Sequence, residues 1–264
     1  MTLQPFGSWF LTDSDAAHSP VRVCCFPHAG GGPHQFLRWQ RQLGDAVQLL
    51  GVVLPGRGHR TAESPVDTIE EYIDGAAHAV AQLADRPTLL MGHSLGALVA
   101  FEVARQLREV PAVTDLVASG LAAPSMLPTP RVVAAARLHG REFAEAVAFF
   151  GGLPPEMLAA EELYDLVLPG LYSDFQLVAG YRYRGAEPLT VRVHLVNGAD
   201  DPHVGGDVLH GWTAECVEPP TRLQAAGGHF YFEQDATVLT ELLSSLAERH
   251  RECTRSREPH VELI

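Results

Sequence analysis

Apolar and polar positions along the chain fall into two alternating patterns. Val21–Phe26, Val47–Leu54, Thr88–Met91, Leu116–Ser119, Val191–Val196 and Thr221–Gln224 are short apolar runs. They have the length and continuity of strands buried on both faces. Between them, Leu37–Leu43, Ile69–Leu83, Leu98–Leu107 and Thr237–Arg249 carry apolar residues at helical spacing and predict helices. The alternation predicts an α/β protein with a mostly parallel central sheet flanked by helices. No internal repeat or low-complexity segment interrupts it.

The rhythm breaks between residues 124 and 187. Pro124, Pro128 and Pro130 open this stretch, and short amphipathic pieces follow over Glu142–Phe150 and Glu161–Leu168. Gly151-Gly152 and Pro154-Pro155 punctuate them. A long insertion between strands predicts a helical lid over a site, the alternative being a passive embellishment. The charged tail from 250 to 264 is expected to be poorly ordered. The whole chain, 1–264, thus reads as one domain with an insertion.

Composition narrows the function classes. The 264 residues suffice for one large α/β domain, and 46% apolar with 19% charged residues is ordinary for a globular enzyme. A net charge of −13 argues against nucleic acid or an anionic membrane as partner. All 19 basic residues are Arg, so any basic patch is built of guanidinium groups. No apolar run approaches a membrane span, and the N-terminus lacks a signal-peptide pattern. The expected location is cytoplasmic. Cys24, Cys25, Cys216 and Cys253 show neither disulfide nor zinc spacing and read as idle thiols.

The most informative stretch is Gly92-His93-Ser94-Leu95-Gly96, between an apolar run and a helical one. In that context G-x-S-x-G marks a nucleophile elbow, with glycines where a Cβ would crowd strand or helix and the serine Oγ exposed. A serine needs a base. Of 13 histidines, His229 is best placed, since Gly227-Gly228 follows the last strand and precedes the final helix. His93 adjoins Ser94, but neighbouring side chains diverge at such a turn. The acid that orients the imidazole should lie between nucleophile and histidine in sequence. Asn197-Gly198-Ala199-Asp200-Asp201 follows a strand; Asp201 is preferred for its spacing to Val204, with Asp200 open. Phe26-Pro27-His28-Ala29-Gly30-Gly31-Gly32 follows the first strong strand, and its small residues admit a substrate oxygen. The Leu95 and Ala29 amides are the candidate oxyanion donors. A phosphate-binding reading of this loop lacks both G-K-[ST] and G-x-G-x-x-G.

Together these blocks resemble the α/β-hydrolase superfamily. Phe26 to Gly31, Leu54-Pro55-Gly56-Arg57-Gly58-His59-Arg60, Gly92 to Ala97 and Gly227 to Phe230 are similar to the type II thioesterases. So are Gly151 to Glu156 and Pro169 to Phe175, although Tyr172 stands where such proteins often carry Arg. The resemblance covers about residues 20 to 245. It implies an enzyme that hydrolyses stalled or incorrect acyl groups from the phosphopantetheine arm of acyl or peptidyl carrier domains; a monomer is expected. It implies an acyl-serine intermediate and no metal or cofactor. Arg57 and Arg60 then either contact the site rim or the carrier, or belong to a solvated or salt-bridged loop. A general esterase or acyltransferase, or a chain-releasing thioesterase, would use the same triad.

Overall fold

The computed structural model describes residues 2–83, 85–153 and 155–255. Eight strands form one sheet: β1 (Leu3–Phe6), β2 (Phe10–Asp13), β3 (Val21–Phe26), β4 (Val47–Val52), β5 (Thr88–His93), β6 (Val113–Ser119), β7 (Arg192–Gly198) and β8 (Thr221–Ala225). Their order is β1-β2-β4-β3-β5-β6-β7-β8. From β4 onward every pairing is parallel, while β1 and β2 are antiparallel. This is the α/β-hydrolase arrangement. The six predicted strands are present, with ends shifted by a few residues. The β1–β2 hairpin was not predicted: Pro5 removes a donor and the strand is largely exposed, so no buried run announces it.

Alternate residues of the central strands feed two cores. Cys24, Phe26, Leu90 and Leu116 pack under α3 (Ile69–Ala81) and α4 (Leu95–Gln106). Val23, Cys25, Met91 and Val117 pack on the other face, against α1 (His34–Leu37), α2 (Gln40–Leu43), α9 (Tyr231–Gln234) and α10 (Thr237–Arg255). The helix predicted over Leu37–Leu43 is therefore two short ones, parted at Arg38-Trp39. Burial of Cys24 and Cys216 pushes each thiol up to about 12, which disfavours the reactive thiolate.

Between β6 and β7 the chain leaves the sheet for α5 (Pro130–Ala135), α6 (Gly140–Phe149), α7 (Pro155–Ala159) and α8 (Tyr164–Gly180). Phe143, Val147, Leu168, Leu171 and Phe175 give this segment a small core of its own. Tyr172 lies within it, its ring 5.4 Å from that of Phe143. The expected tail needs a correction. Residues 250–255 continue α10, and His250 Nε2 lies 2.9 Å from Asp115 Oδ2. Residues 256–264 lie outside the described residues.

Candidate active site

Strand β5 ends at His93 and α4 begins at Leu95, leaving Ser94 alone to make the turn. Its φ of 53° is the one positive value for a non-glycine among the described residues. Such strain persists only where surroundings over-determine it. The flanking glycines do so here. A Cβ on Gly92 would lie 2.2 Å from the Gly96 backbone, and one on Gly96 would lie 2.0 Å from the Phe26 carbonyl oxygen. Only backbone fits between strand and helix at both positions.

His229 and Asp201 meet at this turn. His229 Nδ1 donates to Asp201 Oδ2 at 2.7 Å, and both residues are buried. Asp201 Oδ1 accepts the His203 amide at 2.8 Å, which fixes the carboxylate. Asp200 is exposed, and its amide is tied to the Gly227 carbonyl instead. With Nδ1 protonated toward Asp201, Nε2 carries the lone pair needed to accept a proton. Ser94 and His229 line one cavity of about 340 Å³. Leu95, Leu98 and Leu121 form its floor side, and Leu127, Val132, Phe150 and Val178 of the insertion form its roof.

Of the two amides expected as oxyanion donors, that of Leu95 directly follows Ser94 in the turn. Leu95 is the first residue of α4, so its N–H has no carbonyl in its own helix. In the turn after β3, the Gly31 amide donates to the His28 carbonyl at 2.9 Å and the Gly30 amide to Asp174 Oδ2 at 2.7 Å. The Ala29 amide is left without such a partner among the described residues.

Three further histidines surround His229, and sequence reasoning did not single them out as a group. His93 turns into the core, its Nδ1 2.9 Å from Ser119 Oγ and its ring 4.6 Å from that of His229. His203 stacks on Phe150 at 4.4 Å and meets the His229 ring edge-on at 5.2 Å. His28 packs on Phe230 at 4.7 Å. Burial, then the neighbouring His229 charge, lowers His28 and His203 to about 4 and His93 well below its ordinary value. His229 alone of the four bonds a carboxylate. Gly120 completes the packing at φ +60°, where a Cβ would fall 2.4 Å from the His93 ring and 3.0 Å from that of His229.

The two arginines of the β4–α3 loop are engaged within the chain. Arg57 forms a two-pronged bond to Asp174 of α8, at 2.6 and 2.8 Å. Arg60 bonds Glu63 and the Val53 carbonyl and stacks on Trp9. Neither is the open rim cation that one sequence reading allowed. The role of Asp174 was missed, yet a signal exists: an acid on the face that carries Leu171 and Phe175. Among the described residues no cluster of three or more metal-ligating side chains occurs, and no helix is long and apolar enough to cross a membrane.

Residues 21–249 match the family model of the thioesterase domain. The thioesterase PikA5 of Streptomyces venezuelae is 35% identical over 98% of this chain and 92% of its own length. The RedJ thioesterase from the prodiginine pathway of Streptomyces coelicolor superposes with a TM-score of 0.78 at 32% identity, over 89% of this chain and 87% of that one. The type II thioesterase BorB from the borrelidin biosynthetic cluster gives 0.80 at 29% identity, over 90% and 97%.

Proposed function

The chain belongs to the thioesterase family, and from that premise we propose that it hydrolyses acyl thioesters carried on the phosphopantetheine arm of acyl or peptidyl carrier proteins. Ser94 is the nucleophile, His229 its base, and Asp201 the acid that orients the imidazole. The observation that carries this reading is the 2.7 Å bond between His229 and Asp201 at the wall of the cavity that Ser94 lines.

The reaction follows from these groups. His229 Nε2 takes the Ser94 proton as Oγ attacks the thioester carbonyl. The developing oxyanion is stabilised by the Leu95 and Ala29 amides, whose dipoles are in place before the charge appears. Collapse expels the pantetheine thiolate, which takes the His229 proton, and leaves an acyl-serine. Water, deprotonated by His229, then attacks the ester, and collapse returns that proton to Ser94 Oγ and frees the carboxylic acid. Asp201 keeps Nδ1 protonated throughout and stabilises the imidazolium. The proton transfers and charge stabilisation all come from this chain's own groups.

The cavity is at the small end of the range for organic ligands and its walls are mostly apolar. That favours short acyl groups, as expected for an enzyme that clears stalled or misloaded carriers in a biosynthetic assembly line. BorB and RedJ come from such biosynthetic clusters and pathways by their descriptions.

The test is a matched set of acetyl and propionyl substrates on a carrier protein, on CoA and as simple esters. Higher kcat/KM on the carrier supports the proposal. Equal values on carrier and CoA would redirect it to a general acyl thioesterase. Preference for simple esters would make it an esterase. Retained activity in folded Ser94→Ala protein would overturn the nucleophile itself.

A further inference from the structure

Asp174 lies on the apolar face of α8, between Leu171 and Phe175, and is 1% exposed. A carboxylate there is costly unless its oxygens are fully engaged. They are engaged by two other segments. Oδ2 accepts the Gly30 amide at 2.7 Å and Arg57 Nη1 at 2.8 Å; Oδ1 accepts Arg57 Nη2 at 2.6 Å. Arg57 Nη2 also donates to the Gly170 carbonyl at 3.0 Å, one turn back on α8. The lid helix, the turn after β3 and the loop after β4 are thereby joined at one carboxylate. Burial works against the Arg57 charge, but the hydrogen bonds and charge of Asp174 outweigh it and raise its pKa.

Gly30 is held from a second side. Its φ is +76°, and a Cβ would lie 2.7 Å from Leu171 Cδ1, again on α8. Gly30 directly follows Ala29, the proposed oxyanion donor. With the Gly30 and Gly31 amides both bonded, the peptide plane between Ala29 and Gly30 has little freedom to rotate. The Ala29 N–H is one residue upstream and inherits that restraint.

We propose that Asp174 is a positioning residue that couples the seating of the lid helix to the alignment of the Ala29 oxyanion donor. Resting on the thioesterase reading above, the coupling makes the reaction conditional. With α8 seated, Gly30 is pinned and the donor is aimed at the developing charge. With α8 lifted, the Gly30 amide and Arg57 lose their shared acceptor, and the turn relaxes. An arm can then enter or leave while the acyl centre is unreactive. A preorganised donor contributes to the transition state and little to ground-state binding, so the effect falls on kcat.

The experiment compares wild type, Asp174→Asn and Arg57→Gln in the full chain. The expected result for Asp174→Asn is a kcat lowered by about 10- to 100-fold, less than for outright loss of a donor. KM should stay within about threefold, and affinity for a short alkylboronic acid, which forms a tetrahedral boronate adduct on Ser94, should fall in parallel with kcat. Arg57→Gln keeps the Asp174–Gly30 bond and should show the same pattern at smaller size; it carries the test if Asp174→Asn does not fold. Hydrogen exchange gives a readout independent of turnover: the Gly30 amide and the α8 amides should lose protection together in Asp174→Asn. A lower melting temperature with unchanged kcat and boronate affinity would overturn the coupling and make the pair a brace. So would Gly30 protection that survives loosening of α8. A wild type inert toward every acyl substrate would overturn the reading of Ser94, and the coupling would then stand or fall on hydrogen exchange.

Discussion

Gly92 and Gly96 at the elbow and Gly170 and Gly180 in the lid are one residue type under opposite constraints. At the elbow an added Cβ would sit 2.2 and 2.0 Å from backbone atoms that cannot retreat. In the lid, a Cβ on Gly170 would find only an Arg57 nitrogen at 3.8 Å, and one on Gly180 would find nothing within 4 Å. Backbone lies on backbone around Ser94, within the turn at Gly92 and against the end of β3 at Gly96. The lid is instead held by side chains reaching far along the sequence, 117 positions from Asp174 to Arg57 and 144 to Gly30. The turn that carries Ser94 is drawn tight by backbone packing, whereas the insertion over the cavity is tied down by side chains distant in sequence.

The largest effects should come from the elbow and its partners. Ser94→Ala and His229→Ala are each expected to lower hydrolysis by about 10⁴-fold or more, with unchanged circular dichroism, because nucleophile and base act as a unit. Asp201→Asn should cost about 10²- to 10⁴-fold and Asp200→Asn less than about twofold, since Asp201 alone meets His229. Comparable kcat losses for the two would dissolve the distinction. Next comes packing: Gly96→Ala should remove more than about 4 kcal/mol of stability and yield little folded protein, as forced overlap in a closed core does. A well-folded Gly96→Ala protein would show that the elbow yields as readily as the lid.

The histidines around His229 give a smaller, pH-dependent effect. His28 and His203 are held to about 4 by burial and then by the His229 charge, against about 6.5 in an unfolded chain. Between those values the unfolded chain binds protons that the folded one refuses, so stability rises with pH. The melting temperature should therefore fall as pH drops from about 6.5 toward 4, and His28→Gln should flatten the slope. An unchanged slope would mean that His28 is not held neutral by the fold. The smallest effect is expected in the lid. Gly170→Ala removes unfolded-state freedom at a helical position with room, and should raise stability by up to about 1 kcal/mol. A drop on thermal melting would mark that part of the lid as packed like the elbow.

The same contrast governs what could be read from the chain alone. Buried strands announce themselves as continuous apolar runs, so the parallel sheet and its alternation with helices were legible. The turn at Ser94 was legible because its glycines and serine fall within five consecutive positions. His229 was legible through its position after the last strand. Asp200 and Asp201 could be ordered only by a spacing preference, because neighbours in a loop differ by the direction of a side chain. The fold supplies that direction, burying Asp201 against His229 and leaving Asp200 exposed. The β1–β2 hairpin, the helical continuation to Arg255 and the ring of neutral histidines depend likewise on partners distant in sequence. Arg57 shows the division most clearly. Its loop motif was visible, but whether it faced a partner protein or an internal acid was not. That was decided by α8, which carries Asp174 across more than a hundred residues to meet it, a pairing that exists only once the chain has folded and water has been excluded between them.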